Sequence, residues 1–320
     1  MATAFLFANG CAPTYPKETL PEAVKEICKS EYNMNVEVTV EGNTIGIYYP
    51  MTGLLDVNLG ISEQAWDTIS NLLLIASRIV LSTDADIKFY CLVTQDARLP
   101  ELQVVIIKYV DDVKRSLYTD ISRDETFKRT LFSINLTPQA KKERSIERIF
   151  DKLEVDPAAR DKVLEEFFRS QPTKLSDIGY WRGKFYLKDI TLEEFLAAQI
   201  VNRMKMDFRV NKDLAGLFNY EEAESVYVPQ DSTGSFFVKF KIADQKQEDD
   251  GKNIRIKKIQ EILRIANEVV YGYKFQKFDY LVLEDLLENA KLKITGSNVY
   301  NYAKEKSPIE KIVEAPAGYF

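Results

Sequence analysis

The sequence predicts an α+β protein made of two related units, each with the element order α-β-β-α-β-β, joined by a helical connector. The first indication is a pair of amphipathic helices with the same apolar spacing, 190 residues apart. The second is a set of alternating apolar segments before and after each helix, because strands with one apolar side suit a sheet covered by helices. We therefore expect each unit to contain a small antiparallel sheet with both of its helices on one face.

The two helices are predicted by apolar residues that advance along the chain by three and four positions in turn. In the first helix these residues are Trp66, Ile69, Leu73, Ala76 and Val80. In the second they are Ile256, Ile259, Leu263, Ala266 and Val270, each 190 positions after its counterpart. Ser62 and Asn253 precede the helices, and such side chains cap free backbone N–H groups in a first turn.

Each helix lies between two pairs of predicted strands, recognised by alternating apolar residues and by turn residues between the members of a pair. In the first unit the strands cover residues 36–40, 44–49, 87–94 and 102–109. In the second unit they cover residues 226–228, 236–242, 278–283 and 291–295. A further helix opens each unit, at residues 21–31 and 192–206, so that six elements follow in the same order twice.

These elements divide the chain into five segments. Residues 1–16 are an N-terminal segment, 17–110 and 191–303 are the two units, 111–190 are the connector, and 304–320 are a tail. Charged amphipathic patterns in the connector predict helices at residues 111–117, 124–131, 141–153 and 157–169. The tail contains two prolines, and we expect it to be loosely ordered.

The composition excludes several classes of function. A net charge of −6 argues against a nucleic-acid-binding protein, which needs a basic surface, and we interpret the basic clusters at 141–144 and 255–258 as solvated helix faces. The chain has no histidine, which removes Ser-His-Asp and Cys-His nucleophiles and histidine-ligated metals. It also has no glycine-rich nucleotide-binding motif and no EF-hand loop, so that no cofactor is expected.

Four aspartates at the ends of predicted strands are candidates for a metal site. Asp84 and Asp86 precede one strand, and Asp111 and Asp112 follow the next. If these strands are antiparallel neighbours, the carboxylates meet at one end of the sheet, where their oxygens could hold Ca²⁺ or Mg²⁺. Aspartates are also common in turns and caps, which is the alternative. The cluster leaves open a histidine-free hydrolase that uses carboxylates or a divalent metal.

A second candidate site combines aromatic rings with a cation. Tyr180, Trp181, Arg182 and Tyr186 lie close together in the sequence. Tyr, Trp and Arg are frequent anchors at binding surfaces, so an exposed cluster would suit a protein or glycan partner. In the alternative interpretation, the cluster is packed at the junction between the helical connector and the second unit.

Cys11 follows an uncharged, mostly apolar run at residues 2–10 and precedes a proline-containing segment at residues 12–16. With Gly10 directly before the cysteine, residues 5–16 resemble the end of a bacterial lipoprotein signal peptide. The resemblance implies that residues 1–16 are a signal remnant or acylated anchor with its linker. It also implies that Cys11 is acylated, becomes the mature N-terminus and attaches a water-soluble body to a lipid bilayer. The other interpretation is an ordinary N-terminal strand or tail in which Cys11 is a free thiol.

The sequence therefore predicts a membrane-anchored lipoprotein of the bacterial cell envelope that acts as a binding or assembly scaffold and not as an enzyme. Two alternatives remain open: the hydrolase described above, and a cytoplasmic interaction module that retains residues 1–10. Cys28 and Cys91 fall on apolar faces, so we expect both to be buried thiols. The alternative is a disulfide between them in an oxidising compartment. Apart from the bilayer, the expected partner is an unidentified protein or glycan.

Overall fold

The computed structural model describes residues 15–56, 60–169, 171–230, 233–245, 251–303, 308–317 and 319. These residues form two compact units, which divide between Ile190 and Thr191. Both units combine helices with a five-stranded sheet, which confirms the predicted α+β fold class. None of the helices in the described ranges has the length and hydropathy needed to span a bilayer.

The first unit begins with the predicted order of helices and strands and then continues into the segment predicted as a connector. Its first seven elements are α1 (Leu20–Tyr32), β1 (Glu37–Glu41), β2 (Thr44–Met51), α2 (Glu63–Val80), β3 (Phe89–Asp96), β4 (Leu99–Tyr109) and α3 (Val110–Leu117). The next six are α4 (Arg123–Lys128), β5 (Leu131–Leu136), α5 (Pro138–Leu153), α6 (Pro157–Phe167), β6 (Gly179–Trp181) and β7 (Lys184–Tyr186).

The second unit repeats the order of the first from α1 to β5 and adds one short helix, α8, after its first helix. Its elements are α7 (Leu192–Val210), α8 (Lys212–Ala215), β8 (Phe218–Gln230), β9 (Thr233–Asp244), α9 (Gly251–Gly272), β10 (Tyr280–Asp285), β11 (Ala290–Thr295), α10 (Gly296–Asn301), α11 (Ile309–Ile312) and β12 (Val313–Glu314).

The two sheets share one topology. Their strand orders are β1-β2-β3-β4-β5 and β8-β9-β10-β11-β12. In each sheet one pair is parallel, β2 with β3 and β9 with β10, and the other pairs in the described residues are antiparallel. The expected wholly antiparallel sheets are therefore mixed. The physical reason is that α2 and α9 serve as crossover connections, which parallel neighbours require.

Local sequence signals explain where the main helices begin. The Ser62 hydroxyl accepts a hydrogen bond from Ala65 N at 3.2 Å and caps α2. At the start of α7, Thr191 and Glu194 form a reciprocal capping box. The helix α1 ends at Asn33, which has the left-handed backbone conformation (φ 53°) common after a last turn.

Each unit has its own apolar core between the helices and one face of the sheet. In the first unit, Val24 of α1 and Ile69 of α2 contribute to the same cluster as Ile47 and Leu92 of the sheet. In the second unit, the core is built from α7 and α9 against β9, β10 and β11, with Phe236 fully buried among aromatic neighbours. Burial of each large apolar side chain of this kind stabilises the fold by roughly 1.5–3 kcal/mol.

Two segments differ from their predicted form. Residues 111–190 contain the predicted helices α3 to α6, but they also supply β5 to the first sheet and the hairpin β6–β7, and they belong to the first unit. The described part of residues 304–320 forms α11 and β12 where a loose tail was expected. Ile309 and Tyr319 of this segment are 1% and 5% exposed, because both complete the second core.

Candidate functional site

Cys11, the predicted acylation site, lies outside the described residues, and the described chain begins four positions later at Tyr15. The backbone N of Tyr15 donates to Ser82 O at 3.3 Å, and Lys17 N donates to Asp84 Oδ1 at 2.7 Å. These contacts attach the start of the described chain to the segment that leads into β3. We call this end of the first sheet, with Tyr15, residues 81–88 and the turn at Asn43, the Tyr15 end.

Asp84 and Asp86 of the candidate metal site lie at the Tyr15 end, but each has a role in local structure. Asp84 accepts the hydrogen bond from Lys17 N described above. Asp86 forms an ion pair with Lys88 at 2.7 Å, and this hydrogen bond raises the pKa of Lys88 above its usual value. Both aspartates are exposed, and both behave as the turn residues of the alternative interpretation.

Asp111 and Asp112 begin α3, directly after β4. Since β3 and β4 are antiparallel neighbours, with Phe89 opposite Tyr109, this part of the expected geometry is correct. Burial alone would raise the pKa of Asp111, but hydrogen bonds from Lys114 and the Tyr109 hydroxyl outweigh it and hold the pKa below its usual value. Asp112 is buried and accepts from Arg129 Nη1 at 2.8 Å.

The four aspartates thus do not form a metal site in the described structure. Within the described ranges, no group of three or more acidic or cysteine side chains is arranged to hold a metal ion. The physical reason is that three of the carboxylates, Asp86, Asp111 and Asp112, pair with Lys88, Lys114 and Arg129. The fourth, Asp84, accepts from a backbone N–H group. The hydrolase alternative therefore loses the carboxylate cluster on which it was based.

The residues of the aromatic candidate site lie in the hairpin β6–β7, which is hydrogen-bonded to Glu143 of α5. The Glu143 carboxylate accepts from Trp181 Nε1 at 2.7 Å and from Arg182 Nε at 3.2 Å, and a second guanidinium nitrogen of Arg182 binds its other oxygen. The Glu143 side chain is only 5% exposed, whereas that of Arg182 is 57% exposed. A buried carboxylate therefore fixes the two central residues of the candidate surface to α5.

Tyr180 is fixed to the first sheet by its ring and by its backbone. Its ring stacks on Tyr48 of β2, with centroids 3.5 Å apart and planes 5° from parallel. Its hydroxyl donates to Glu37 Oε1 at 2.6 Å, and burial together with this carboxylate raises its pKa above the usual value. The Gln103 side chain accepts from Tyr180 N at 3.0 Å and donates to Tyr180 O, so one amide holds both backbone groups.

Tyr186 is buried, at 2% exposure, and its hydroxyl donates to Phe168 O at 3.3 Å. Burial raises the pKa of Tyr186 to about 12. The ammonium group of Lys184 donates to the same carbonyl at 2.7 Å and lies 4.8 Å from the centre of the Tyr186 ring. The predicted cluster is therefore brought together. Its described contacts are with α5, with Phe168 and with the first sheet, all within the first unit, whereas the packing alternative had placed the cluster at the junction with the second unit.

The hairpin and the residues after it cover the outer face of the first sheet, the face away from α1 and α2. Gly46 of β2 allows this close approach, because a Cβ atom there would lie 2.6 Å from Phe185 Cζ and 2.9 Å from Leu187 Cδ2. Cys91 and Val93 of β3 are both fully buried on this face. The burial predicted for Cys28 and Cys91 is confirmed.

The equivalent face of the second sheet carries charge. The hydrogen bond from Lys88 N to Asn43 O (2.8 Å) in the first sheet has an equivalent in the second sheet, from Asp279 N to Gly234 O (2.7 Å). These two bonds align the parallel strand pairs of the two sheets residue by residue. In this alignment Tyr48, Val93 and Val105 correspond to Lys239, Glu284 and Lys291. Lys239 and Glu284 form an ion pair at 3.3 Å with side chains 47% and 39% exposed. The second sheet can therefore face water, which the apolar first sheet could not.

A buried aspartate ends the third strand of each unit, and the sequence analysis did not identify this pair. Asp96 and Asp285 are both 0% exposed. Asp96 Oδ1 accepts from Arg98 N at 2.9 Å, and Asp285 Oδ1 accepts from Leu287 N at 3.1 Å, so each closes the turn after its strand. Their separation of 189 positions is close to the helix spacing and is a signal that could have identified them. In the strand alignment Asp285 corresponds to Thr94, because β3 extends two residues further than β10 before its aspartate.

The two aspartates differ in the cation that balances them. Arg98 pairs with Asp96 at 3.1 Å from the exposed side of the turn. Lys258 of α9 reaches Asp285 Oδ2 at 3.2 Å and is itself 1% exposed, and the Tyr319 hydroxyl donates to the same oxygen at 3.0 Å. Lys258 was predicted to lie on a solvated basic helix face, and this part of the prediction was wrong. The reason is that the buried surface of α9 is wider than the single apolar stripe from which the helix was predicted.

The substitution Asp96→Asn should reduce stability in a pH-dependent way. Hydrogen bonds from the Arg98 side chain, followed by those from backbone N–H groups, hold the pKa of Asp96 below its unfolded value of 3.8. The ionised carboxylate therefore stabilises the fold above about pH 4, and this contribution is lost as the pH falls through the folded pKa. We expect a loss of about 1 kcal/mol at pH 7 in urea unfolding of both proteins, and this loss should shrink as the pH falls below about 4. The exposed Asp86→Asn is the control, and a pH-independent loss for Asp96→Asn would contradict the assignment.

A scan against protein-family models, a search of curated proteins and a search of solved structures returned no match to this chain.

Proposed function

We propose that the protein is a lipoprotein of the bacterial cell envelope, attached to a membrane by acylated Cys11, whose two units form a scaffold for binding or assembly. The observation that supports it is the position of Tyr15, which is held by Ser82 only four residues after the cysteine. An apolar, lipobox-like segment thus leads almost directly into a folded body. A lipid on Cys11 would therefore lie close to the folded body.

Acyl chains account for the strength of the attachment. Each buried methylene group contributes about 0.8 kcal/mol, and a single chain gives only marginal, reversible binding. A mature bacterial lipoprotein, by the resemblance at residues 5–16, carries more than one chain on its cysteine. Attachment then needs no apolar surface on the body, which agrees with the charged outer face at Lys239 and Glu284.

The scaffold part of the proposal is supported by the structural contacts that the candidate catalytic and binding residues make. The carboxylates that were candidates for hydrolysis form ion pairs, as in Asp112 with Arg129, and the aromatic cluster fastens a hairpin to its own sheet. Two units of one topology, each with a separate core, offer two folded platforms. Such platforms suit a protein that holds a protein or glycan partner close to a membrane.

The substitution Cys11→Ala tests the anchor. In bacterial cells that express the full chain, we expect the unsubstituted protein in the membrane fraction with an acylated N-terminal peptide by mass spectrometry. The Cys11→Ala variant should be soluble after cell breakage, because no acyl chain can be attached. Thr14→Ala, which leaves the cysteine intact, is the matched control and should stay with the membrane.

Two results would count against the proposal. Recovery of Cys11→Ala in the membrane fraction would show that the body binds membranes by another route. An intact mass that begins at Met1 and carries no lipid would favour the cytoplasmic interaction module, in which residues 1–10 are retained.

A further inference from the structure

The first step concerns the length of chain between the acylation site and the folded body. Cys11 and Tyr15 are separated by four Cα–Cα steps, which span at most about 14 Å even when fully extended. Tyr15 is fixed at the Tyr15 end of the first sheet through its bonds to residues 82 and 83. An acyl group on Cys11 therefore cannot lie in a membrane unless this end of the sheet is close to the membrane surface.

The second step concerns the direction of the strands. β2 and β3 both begin at the Tyr15 end, where Lys88 N bonds to Asn43 O, and both run away from it. The eight residues of β3 extend about 23 Å between their first and last Cα atoms. The turn that joins β3 to β4, directly before Leu99, therefore lies at the opposite end of the sheet.

We infer that the first unit stands with its Tyr15 end against the phospholipid headgroups and its Leu99 end directed away from the bilayer. This inference rests on the proposed function, since it needs acylated Cys11. The partner surface is the headgroup layer itself. The residues that would contact the headgroups are 81–88, the turn at Asn43 and the 3₁₀ turn at Lys17–Thr19.

The charge at the Tyr15 end indicates that the acyl tether, and not electrostatic attraction, holds this end of the sheet near the lipid headgroups. Exposed acidic side chains outnumber exposed lysines there; the acidic residues are Glu18, Glu41, Asp84, Asp86 and Asp189, and the lysines are Lys17 and Lys88. Asp189 belongs to this end because its Oδ1 accepts from Asn43 N at 2.8 Å. An acidic surface is not attracted to anionic lipids, so the unacylated body should not bind them.

The chain is well suited to a site-specific distance measurement. Cys28 and Cys91 are both fully buried, and burial raises the pKa of Cys28 to about 11, so neither thiol should react with a label near pH 7. An acylated Cys11 has no free thiol. A cysteine introduced by Asp86→Cys at the Tyr15 end, or by Leu99→Cys at the other end, is then the one reactive position in each variant. Both positions are exposed.

The experiment uses the acylated full chain in vesicles of phosphatidylcholine that contain a lipid with a nitroxide on its headgroup. A fluorophore on each introduced thiol is quenched when it lies near the headgroups. We expect quenching at Asp86→Cys to be at least threefold stronger than at Leu99→Cys. A flexible ten-residue Gly-Ser insertion between Thr14 and Tyr15 should abolish this difference while membrane binding persists.

The outcomes separate the inference from the proposed function. Equal quenching at both positions, in protein whose N-terminal peptide is shown to be acylated, overturns the inference alone. An unacylated peptide overturns both. Binding of the Cys11→Ala protein to vesicles with anionic phosphatidylglycerol would overturn the role of the tether, because the body would then supply its own attraction.

Discussion

Replacement of Lys258 by methionine should destabilise the second unit by about 3–5 kcal/mol, the usual cost of removing one partner from a buried ion pair. The Lys258 ammonium group lies 3.2 Å from Asp285 Oδ2 and 3.7 Å from Asp244 Oδ1. It also donates to Ile242 O at 3.2 Å. Methionine fills most of the volume but leaves the fully buried Asp285 carboxylate without its cation. Urea unfolding followed by circular dichroism measures the loss.

The other substitutions at this site separate the charge effect from the packing effect. Lys257→Met changes the exposed neighbour on the same helix and should alter stability by less than about 0.5 kcal/mol. The double variant Lys258→Met with Asp285→Asn should recover more than half of the loss, because no buried charge remains. The asparagine side chain would still accept from the backbone of the turn, as the Asp285 carboxylate does from Leu287 N. A stability close to that of the original protein for Lys258→Met alone would contradict the buried-pair assignment.

The repeated helices could be predicted from the sequence because burial in a helix follows a period that apolar residues reveal. Ile69 and Ala76 in α2, and Ile259 and Leu263 in α9, are all at most 2% exposed. Trp66 belongs to the same predicted stripe but is 39% exposed and contacts Phe132 of β5, with ring centroids 5.7 Å apart. The first turn of α2 thus lies at the margin of the core, which the period alone does not indicate.

Strand direction and the additions to each sheet could not be predicted in the same way. Alternation marks a half-buried strand whether its neighbour is parallel or antiparallel, so the pairing of β2 with β3 was not evident. The predicted helix at residues 124–131 ends at Lys128, and Leu131 begins β5. β6 and β7 have three residues each, too few to show a period.

The candidate sites depended on partners distant in the sequence. The sequence placed Trp181 within a cluster, but its hydrogen-bond acceptor Glu143 lies 38 positions earlier. Asp112 similarly pairs with Arg129, 17 positions later. A motif search finds residues that are close in the chain, whereas these carboxylates are neutralised by tertiary contacts. For Asp112 this explains why the sequence suggested a metal ligand where the described structure has an ion pair.

The second large effect is expected for Arg182→Ala, which should cost about 2–3 kcal/mol and loosen the hairpin β6–β7. The substitution removes the cation from Glu143, whose side chain is 5% exposed, and leaves Trp181 Nε1 as a donor to that carboxylate. The cost should fall at or below the lower end of the range for fully buried pairs, because the exposed edge of Arg182 gives water a route to the carboxylate. Urea unfolding measures the loss, and faster hydrogen exchange at the backbone of residues 179–186 reports the loosening.

Two further variants distinguish a structural role of the Glu143 contacts from a surface for an external partner. Glu143→Gln keeps a hydrogen-bond acceptor without a buried charge and should cost less than Arg182→Ala. Arg182→Lys keeps the charge but cannot donate two parallel hydrogen bonds to one carboxylate, so its cost should lie between the other two. If all three variants kept the original stability and exchange rates, the hairpin would not depend on Glu143. The cluster of Tyr180, Trp181, Arg182 and Tyr186 would then be better explained as a surface for a partner than as the cover of the first sheet.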